Sequence, residues 1–454
     1  MPETEEKITP RAIIDRIRTE DYLLDIDEES DRIKRGAKSL QKKLNNALKL
    51  LSEDLYSKKA HFVLELIQNA DDNDYTKGVV PQLIFKLDPV RLVLVNNETG
   101  FEEPHIRALC SVGESSKANK SGYIGEKGIG FKSVFTVSNS PEIHSNGFHF
   151  RFDRADQSNL LGFVVPHWCE LPEEAKPNVT TIILPFAKDG FESSQVTLEG
   201  LDARLLLFLS KVRKLALQRD GEMVTYLRRD EEALSYISTR TERPNTQPQI
   251  EESYFVRVPV SFKMENVPDE KRPDILTSSV VLAFPVDSKG TASPEPSSQV
   301  FAFLPIRQVG FKFSIQADFI LSSSREDILK DRAWNKLLRD AIAVAFKTAV
   351  ATFKKTDELA FSFLKFLPAD GEISDPFFRP VSEGIIAQLA QTECLPSSGG
   401  QWKRPSDLRV AEKRFRDLFP PTVAMELFGF DYVDHRVQGG NELNRSGIAG
   451  GSLV

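Results

Sequence analysis

The sequence predicts an α+β protein built as two α/β domains in series. Three observations carry that expectation. At 454 residues the chain is too long for one ordinary hydrophobic core. Strand-like segments recur in two blocks, one before residue 190 and one after residue 254, each with helix-periodic stretches alongside. A polar, charge-rich stretch, RRDEEALSYISTRTERPNTQPQIEES at 228–253, separates the blocks and reads as a linker or excursion.

The elements follow in order. Residues 1–34 are charged and helical in pattern, an N-terminal extension. Leu48, Leu51 and Leu55 stand at helical spacing ahead of Phe62, Leu66 and Ala70. QLIFKL (82–87) and RLVLVN (91–96) alternate apolar and polar residues across Asp88-Pro89, the pattern of a hairpin. FHFRFD (148–153) and TTIILPF (180–186) add strands, and LDARLLLFLSKVRKLALQ (201–218) reads as a long amphipathic helix. A mixed sheet covered by helices on one side is the simplest arrangement of 35–225.

Beyond the linker at 226–254, a middle α/β domain is expected over 255–370. Its strands are FVRVPVSFKM, SSVVLAFPV, VFAFLPI and FKFSIQADFIL, and its insert DSKGTASPEPSSQ (287–299) is expected to be a mobile loop. From Arg325 the pattern is mostly helical. Ser324 and Asp327 fit a capping box for a helix starting there, with Asp in place of the usual Glu or Gln. Residues 371–454 form a helical C-terminal part ending in a stretch, QGGNELNRSGIAGGSLV, expected to be disordered.

Composition narrows the function. Hydrophobic residues make up 40% and charged residues 28%, which places the chain among soluble globular proteins. A net charge of −7 argues against a dedicated nucleic-acid binder. The N-terminus has no apolar core of a signal peptide, and runs such as LLLFL (205–209) and AIAVAF (341–346) are too short to cross a bilayer. Cys110, Cys169 and Cys394 are too few and too scattered for a disulfide framework or a cysteine-rich zinc site. An intracellular protein, cytoplasmic or nuclear and without membrane attachment, is the expectation.

The stretch GYIGEKGIGFKSVF (122–135) suggests a phosphate loop, yet neither common motif fits. Phe131 separates Gly130 from Lys132 and Ser133, so it is not a Walker A loop, and Ser133 stands where a dinucleotide fingerprint needs its third glycine. Upstream, HFVLELIQNADDND (61–74) sets Glu65, Asn69 and Asp72 within about 60° of one another on a helix, beside an apolar stripe. Taken alone, that is as well read as a solvated face.

In combination the segments ELIQNADDN (65–73), LVNNETGF (94–101), ALCSVGESSK (108–117), IGEKGIGFKSVF (124–135) and VTTIILPF (179–186) resemble the GHKL ATPase superfamily. The likeness is closest to the sacsin and NO VEIN type of chaperone-like ATPase domain, over about 35–220 and more loosely over 255–340. The resemblance implies ATP and Mg²⁺ as cofactors. Asn69 matches the metal-binding asparagine and Glu65 the base that orients the attacking water. Gly125, Gly128 and Gly130 match the turn whose amides approach the phosphates, with Asp72, Gly100 and Phe131 in the same nucleotide-binding set. Lys117 and Lys127, with Lys132, could add positive charge. Ser115, Ser116 and Lys117 match the lid, and Gly113 reads equally as its hinge or as part of a plain loop.

Asn96 falls where most relatives carry an aspartate that accepts from the adenine amino group, and Glu98 falls where they carry a glycine. Thr180 matches a threonine beside the base. Arg325, in the Ser-Arg-Glu that follows an apolar strand, resembles a middle-domain arginine that reaches the γ-phosphate in the heat-shock chaperones. The expected activity is slow Mg²⁺-dependent ATP hydrolysis driving lid and domain movement. An unknown client protein would be the partner, and a homodimer stays open. The alternative is a non-hydrolysing nucleotide sensor or scaffold within a larger assembly. His61 and His105 are expected to be packed or surface residues. His144 and His149 have no metal-ligand spacing and take no role.

Overall fold

The structure is a computed structural model that describes residues 8–24, 31–55, 61–111, 130–154, 161–232, 234–270, 272–273, 275–296, 298–322, 327–369, 371–439 and 452–453. The chain divides into two compact units. One is Met1–Leu227 with Ser238–Glu251, the other Arg228–Ile237 with Glu252–Val454. Both combine helices with strands of mixed direction, so the α+β expectation holds.

In the first unit the helices are α1 (Pro10–Arg16), α2 (Asp31–Leu55), α3 (His61–Asp72), α4 (Glu103–Cys110) and α5 (Gly190–Glu199). Its strands are β1 (Gln82–Leu87), β2 (Arg91–Asn96), β3 (Glu142–Ser145), β4 (Phe148–Arg151), β5 (His167–Trp168), β6 (Thr180–Pro185) and β7 (Lys214–Arg219), followed by the start of β8 (Glu222–Glu231). They run in the order β8-β7-β1-β2-β6-β3-β4-β5. The expected hairpin is present: β1 and β2 pair antiparallel, with Asp88 Oδ1 accepting the N–H groups of Val90 and Arg91 at 2.9 Å to close the turn.

The register sorts the side chains onto two faces, because alternate residues of a strand point to opposite sides. Leu83, Phe85 and Leu87 align with Asn96, Leu94 and Leu92, which align with Thr180, Ile182 and Leu184. Ile143 and Ser145, opposite Phe150 and Phe148, continue that row. This is the core face. Its Phe150 meets Phe152 at 5.7 Å, and Phe152 meets Phe131 and Phe135 of a 3₁₀ turn, Gly130–Thr136. The opposite face carries Val93, Thr181, Ile183, Glu142, His144, His149 and Arg151.

The region 201–218 corrects the expectation of a long helix. Only Ala203–Leu207 is helical, as a 3₁₀ turn, and Lys214–Arg219 is β7, parallel to β1. The reason is Asp71, at the end of α3. Its carboxylate accepts the backbone N–H groups of Ser210 (2.7 Å), Lys211 (2.7 Å) and Val212 (2.8 Å). A helix through those residues would need the same donors.

The second unit holds the rest of β8, part of β9 (Leu234–Glu242), most of β10 (Gln249–Lys263), and β11 (Thr277–Val286), β12 (Gln299–Ala302), β13 (Leu304–Gln308) and β14 (Ser314–Ala317). The polar stretch at 228–253 is therefore largely strand, its polarity matching exposed residues along β9 and β10. Helices α6 (Ala333–Phe353), α7 (Asp357–Ser362) and α8 (Arg379–Ala390) follow. Phe284 of β11 sits at the centre of the core, 4.9–5.5 Å from Phe313, Phe346, Phe353 and Phe366. The insert at 287–299 is tied in its first half. Asp287 accepts the N–H of Thr291, and Ala292 N–H donates to Ser362 Oγ, both at 2.9 Å.

The helix expected at Ser324 starts later, at Ala333 with Arg332 as its cap. Ser324 and Arg325 lie outside the described residues. Asp327 and Ile328 are held by bridge pairing instead, with Leu321 paired to Ile328 and Ser322 N–H donating to Asp327 O at 2.8 Å. The pairing of Ile320, Leu321 and Ser322 with Asp327, Ile328 and Leu329 takes donors that a capped first helical turn would use. Most of the last stretch, 440–451 and 454, also lies outside the described residues. No helix among the described residues is long and apolar enough to cross a membrane.

Candidate functional site

The site builds up from α3. Glu65 and Asn69 stand one turn apart on it; Glu65 is buried and Asn69 half-buried, with Asp72 buried at the helix end. The apolar residues Phe62, Val63, Leu66, Ile67 and Ala70 are buried, so the helix packs along one stripe and presents the polar residues from its edge.

Gly130 comes directly against Glu65. A methyl group on its Cα would lie 2.5 Å from Glu65 Oε2. Only glycine lets the backbone approach the carboxylate this closely. Two residues that sequence reasoning assigned to one site, 65 positions apart in the chain, thus touch. Gly125, Gly128, Lys117 and Lys127, with Gly113 and the lid residues Ser115 and Ser116, lie outside the described residues.

Lys132 and Phe131 turn inward. The Lys132 ammonium donates to Phe163 O at 2.7 Å and to Leu109 O, and lies 4.4 Å from the Phe152 ring centre. Burial pulls its pKa down to about 8. Its charge is used on those carbonyls, and the Phe131 ring packs in the core against Phe152.

A second cluster sits at the end of β2 on the core face. Asn96 lies opposite Thr180 in the register. The Tyr75 hydroxyl lies 3.0 Å from the Asn96 carboxamide oxygen and 2.7 Å from Ala70 O, and shares its one proton between them, tying β2 to α3. Burial raises the Tyr75 pKa above its ordinary value, which keeps it a donor. Asn97 is structural: it accepts Gln82 N–H at 2.8 Å and donates to Val80 O at 2.9 Å.

Glu98 escapes sequence reasoning as a functional side chain because it stands where relatives have a glycine. It is buried, and its carboxylate accepts the Thr180 hydroxyl on one oxygen and Gly100 N–H at 2.9 Å on the other. Phe101 N–H donates to Ser145 Oγ at 2.8 Å, and Ser145 Oγ is 2.5 Å from Thr180 Oγ1. With Thr180 donating to the carboxylate, Ser145 must donate to Thr180. The network is therefore directed, and it ends on a buried negative charge. Gly100, at φ +98°, comes within 2.7 Å of Asn146 Cβ at its would-be Cβ, so a side chain is excluded on two counts.

His105 caps α4: its Nδ1 accepts Glu102 N–H at 3.0 Å. On the opposite face of the sheet, His144, given no role from the sequence, lies with Glu142 and Cys169 in one cluster. Burial and the nearby Glu142 carboxylate push the Cys169 thiol up to about 12. The His149 pKa falls through burial and the neighbouring His144. No sequence spacing announces this cluster, because Cys169, just after β5, reaches Glu142 and His144 of β3 only through strand pairing.

Among known proteins, the chain is 34% identical over 469 aligned residues to Protein NO VEIN of Arabidopsis thaliana, a likeness covering 96% of this chain and 17% of that protein. The chain thus spans about a sixth of the length of the relative it matches. No family model matches it.

Proposed function

We propose that the first unit is a GHKL-type nucleotide-binding domain of the NO VEIN kind, which binds Mg²⁺-ATP and hydrolyses it slowly in the service of chaperone-like domain movement. The observation that carries this reading is the close approach of Gly130 to Glu65. The contact sets a carboxylate against the end of the glycine-rich turn, where it would stand within reach of a water at a terminal phosphate held by that turn. Asn69, half-buried one turn further along α3, offers an amide oxygen suited to a hard cation. Bound Mg²⁺ would neutralise phosphate charge there. The protein's own part is positioning: Glu65 for the water, and Thr180 with Glu98 for the base.

A second reading keeps nucleotide binding without hydrolysis, as a sensing or scaffold module. It is favoured by Asn96, whose oxygen is already engaged by Tyr75 and carries no charge. Client proteins and any assembly partner belong to this proposal in either form.

The test is calorimetric titration of ATP with and without Mg²⁺, then phosphate release by the parent, Glu65→Gln and Asn69→Ala chains. Hydrolysis predicts Mg²⁺-dependent binding, turnover lost in Glu65→Gln with binding kept, and binding lost in Asn69→Ala. Binding with no release by the parent leaves the sensor reading. An absence of ATP binding by the parent removes both.

A further inference from the structure

We infer that the face of the sheet turned away from the nucleotide cluster carries a site for a borderline-soft divalent metal ion of the Zn²⁺ class, held by Glu142, His144 and Cys169. The register builds it. His144 of β3 pairs with Thr181 of β6 on one side and His149 of β4 on the other, and Cys169 N–H donates to His149 O at 3.0 Å, which brings the residue after β5 into the same row. Glu142, two residues before His144, shares its face. The carboxylate, imidazole and thiol donor atoms all lie within 4.8 Å of one another.

His144 supplies the independent observation. Its side chain is 1% exposed, and its Nε2 has no hydrogen-bond partner. That nitrogen faces Glu142 Oε2 at 3.6 Å, too far for a hydrogen bond. The hydroxyl of Thr181, next in the row, is also buried without a partner. Buried polar atoms left in this state call for a partner, a water or an ion. The other ring nitrogen, Nδ1, is 3.4 Å from His149 Nδ1. If His144 carries its proton on Nδ1, directed at His149, the Nε2 lone pair points at the carboxylate and thiol. A lone pair facing a carboxylate is repulsive until a cation lies between them. A metal-ligating histidine commonly has this second contact, with its far N–H fixed by an outer partner.

The donor set selects the ion. One thiolate, one imidazole and one carboxylate suit Zn²⁺ and its neighbours and disfavour Mg²⁺ or Ca²⁺, which take oxygen ligands. Donor atoms around a tetrahedral zinc are about 3.5 Å apart; the Glu142–His144 pair already stands at 3.6 Å, so what contraction binding needs falls on the approach of the Cys169 thiol, from no more than 4.8 Å. Binding forms a metal–sulfur bond and passes the Cys169 thiol proton to solvent. Three protein ligands leave the fourth position to water.

Cobalt(II) titration of the reduced, chelator-treated 454-residue chain tests this. The expected result is one equivalent giving a thiolate-to-cobalt charge-transfer band and the d–d absorption of four-coordinate cobalt, both erased by Zn²⁺. Cys169→Ser should lose the charge-transfer band, His144→Gln should weaken binding ~100-fold, and His149→Ala, which removes an outer partner, about tenfold. Cys110→Ser and Cys394→Ser should titrate like the parent. Absence of the band in the folded parent, or an equal band in folded Cys169→Ser, overturns the site. Should His144→Gln fail to fold, the two half-buried members of the cluster, tested by Cys169→Ser and Glu142→Gln, decide alone.

Discussion

Thr180 donates its hydroxyl to the Glu98 carboxylate, joining β6 to the loop after β2. The sequence register, anchored on Gly100, assigns the base-reading position to Asn96; under the proposed nucleotide reading, side-chain reach favours Glu98 instead. Asn96 is neutral and bonded to Tyr75, whereas Glu98 brings a full negative charge to the threonine that the resemblance puts beside the base. A charged acceptor forms a hydrogen bond roughly twice as strong as a neutral one. Glu98→Gln is therefore expected to lower ATP affinity about tenfold while GTP affinity changes little. It also faces an amide toward Gly100 N–H or the Thr180 hydroxyl, at a stability cost of about 1–3 kcal/mol. Competitive calorimetry with both nucleotides checks it. An unchanged ATP-to-GTP ratio returns the base contact to Asn96.

Asp71 lies beside the candidate site in sequence but serves the fold. Its three backbone N–H bonds hold 210–212 at the entrance to β7. Asp71→Asn removes the charge and sets an N–H₂ against donors, so a loss of about 3 kcal/mol or more is expected, with ATP affinity of the folded fraction unchanged. Urea unfolding paired with nucleotide titration separates the two effects. A variant as stable as the parent would show that the clamp is incidental.

The same clamp explains what the sequence could and could not reveal. The β1–β2 hairpin was legible because alternation and Asp88-Pro89 are local signals, and α3 because its stripe repeats at helical spacing. Residues 201–218 repeat at helical spacing too, yet a carboxylate 140 residues away in sequence takes the donors a helix would need. Tertiary context overrode the period. Glu65 and Gly130 could be paired only through resemblance, and the directed path from Ser145 to Glu98 needs coordinates. The Glu142–His144–Cys169 cluster was illegible for the same reason as the clamp: strand pairing, not spacing, assembles it.

Lys132 gives a pH signature. Its folded pKa is lowered to about 8 from the usual lysine value, first by burial. Below pH 8 both states hold the proton and the fold bears the full cost of a buried ammonium. Between about 8 and 10.5 the unfolded chain binds the proton and the native state does not, so stability rises with pH. Cys110, its thiol pushed up to about 12, acts in the opposite sense at the alkaline end, so the comparison belongs in a Cys110→Ser background. There the stability of the Lys132 chain relative to Lys132→Met should climb by on the order of 3 kcal/mol across the window. Denaturant midpoints read at several pH values measure it. A difference that stays flat, or falls, contradicts a buried lysine.

Gly130→Ala distinguishes a catalytic carboxylate from a packed one. The new methyl would fall 2.5 Å from Glu65 Oε2, the far end of a flexible side chain, and among the described residues the next atom beyond its chain neighbours is Glu65 Cδ at 3.6 Å. The fold can yield cheaply by swinging that carboxylate aside, so the melting temperature should move by only a few degrees. If Glu65 orients the attacking water, the same swing displaces it by a distance that matters, since misplacement by about an ångström can cost ~100-fold in rate. Phosphate release should then fall by about that factor while ATP affinity stays within a few-fold, because the swing removes an interaction made only in the transition state. Glu65→Gln provides the limit. A double variant, Gly130→Ala with Glu65→Gln, should be no slower than Glu65→Gln alone, as both changes act through one group. Additive losses would mean that the backbone at Gly130, rather than the carboxylate it touches, is what the methyl disturbs.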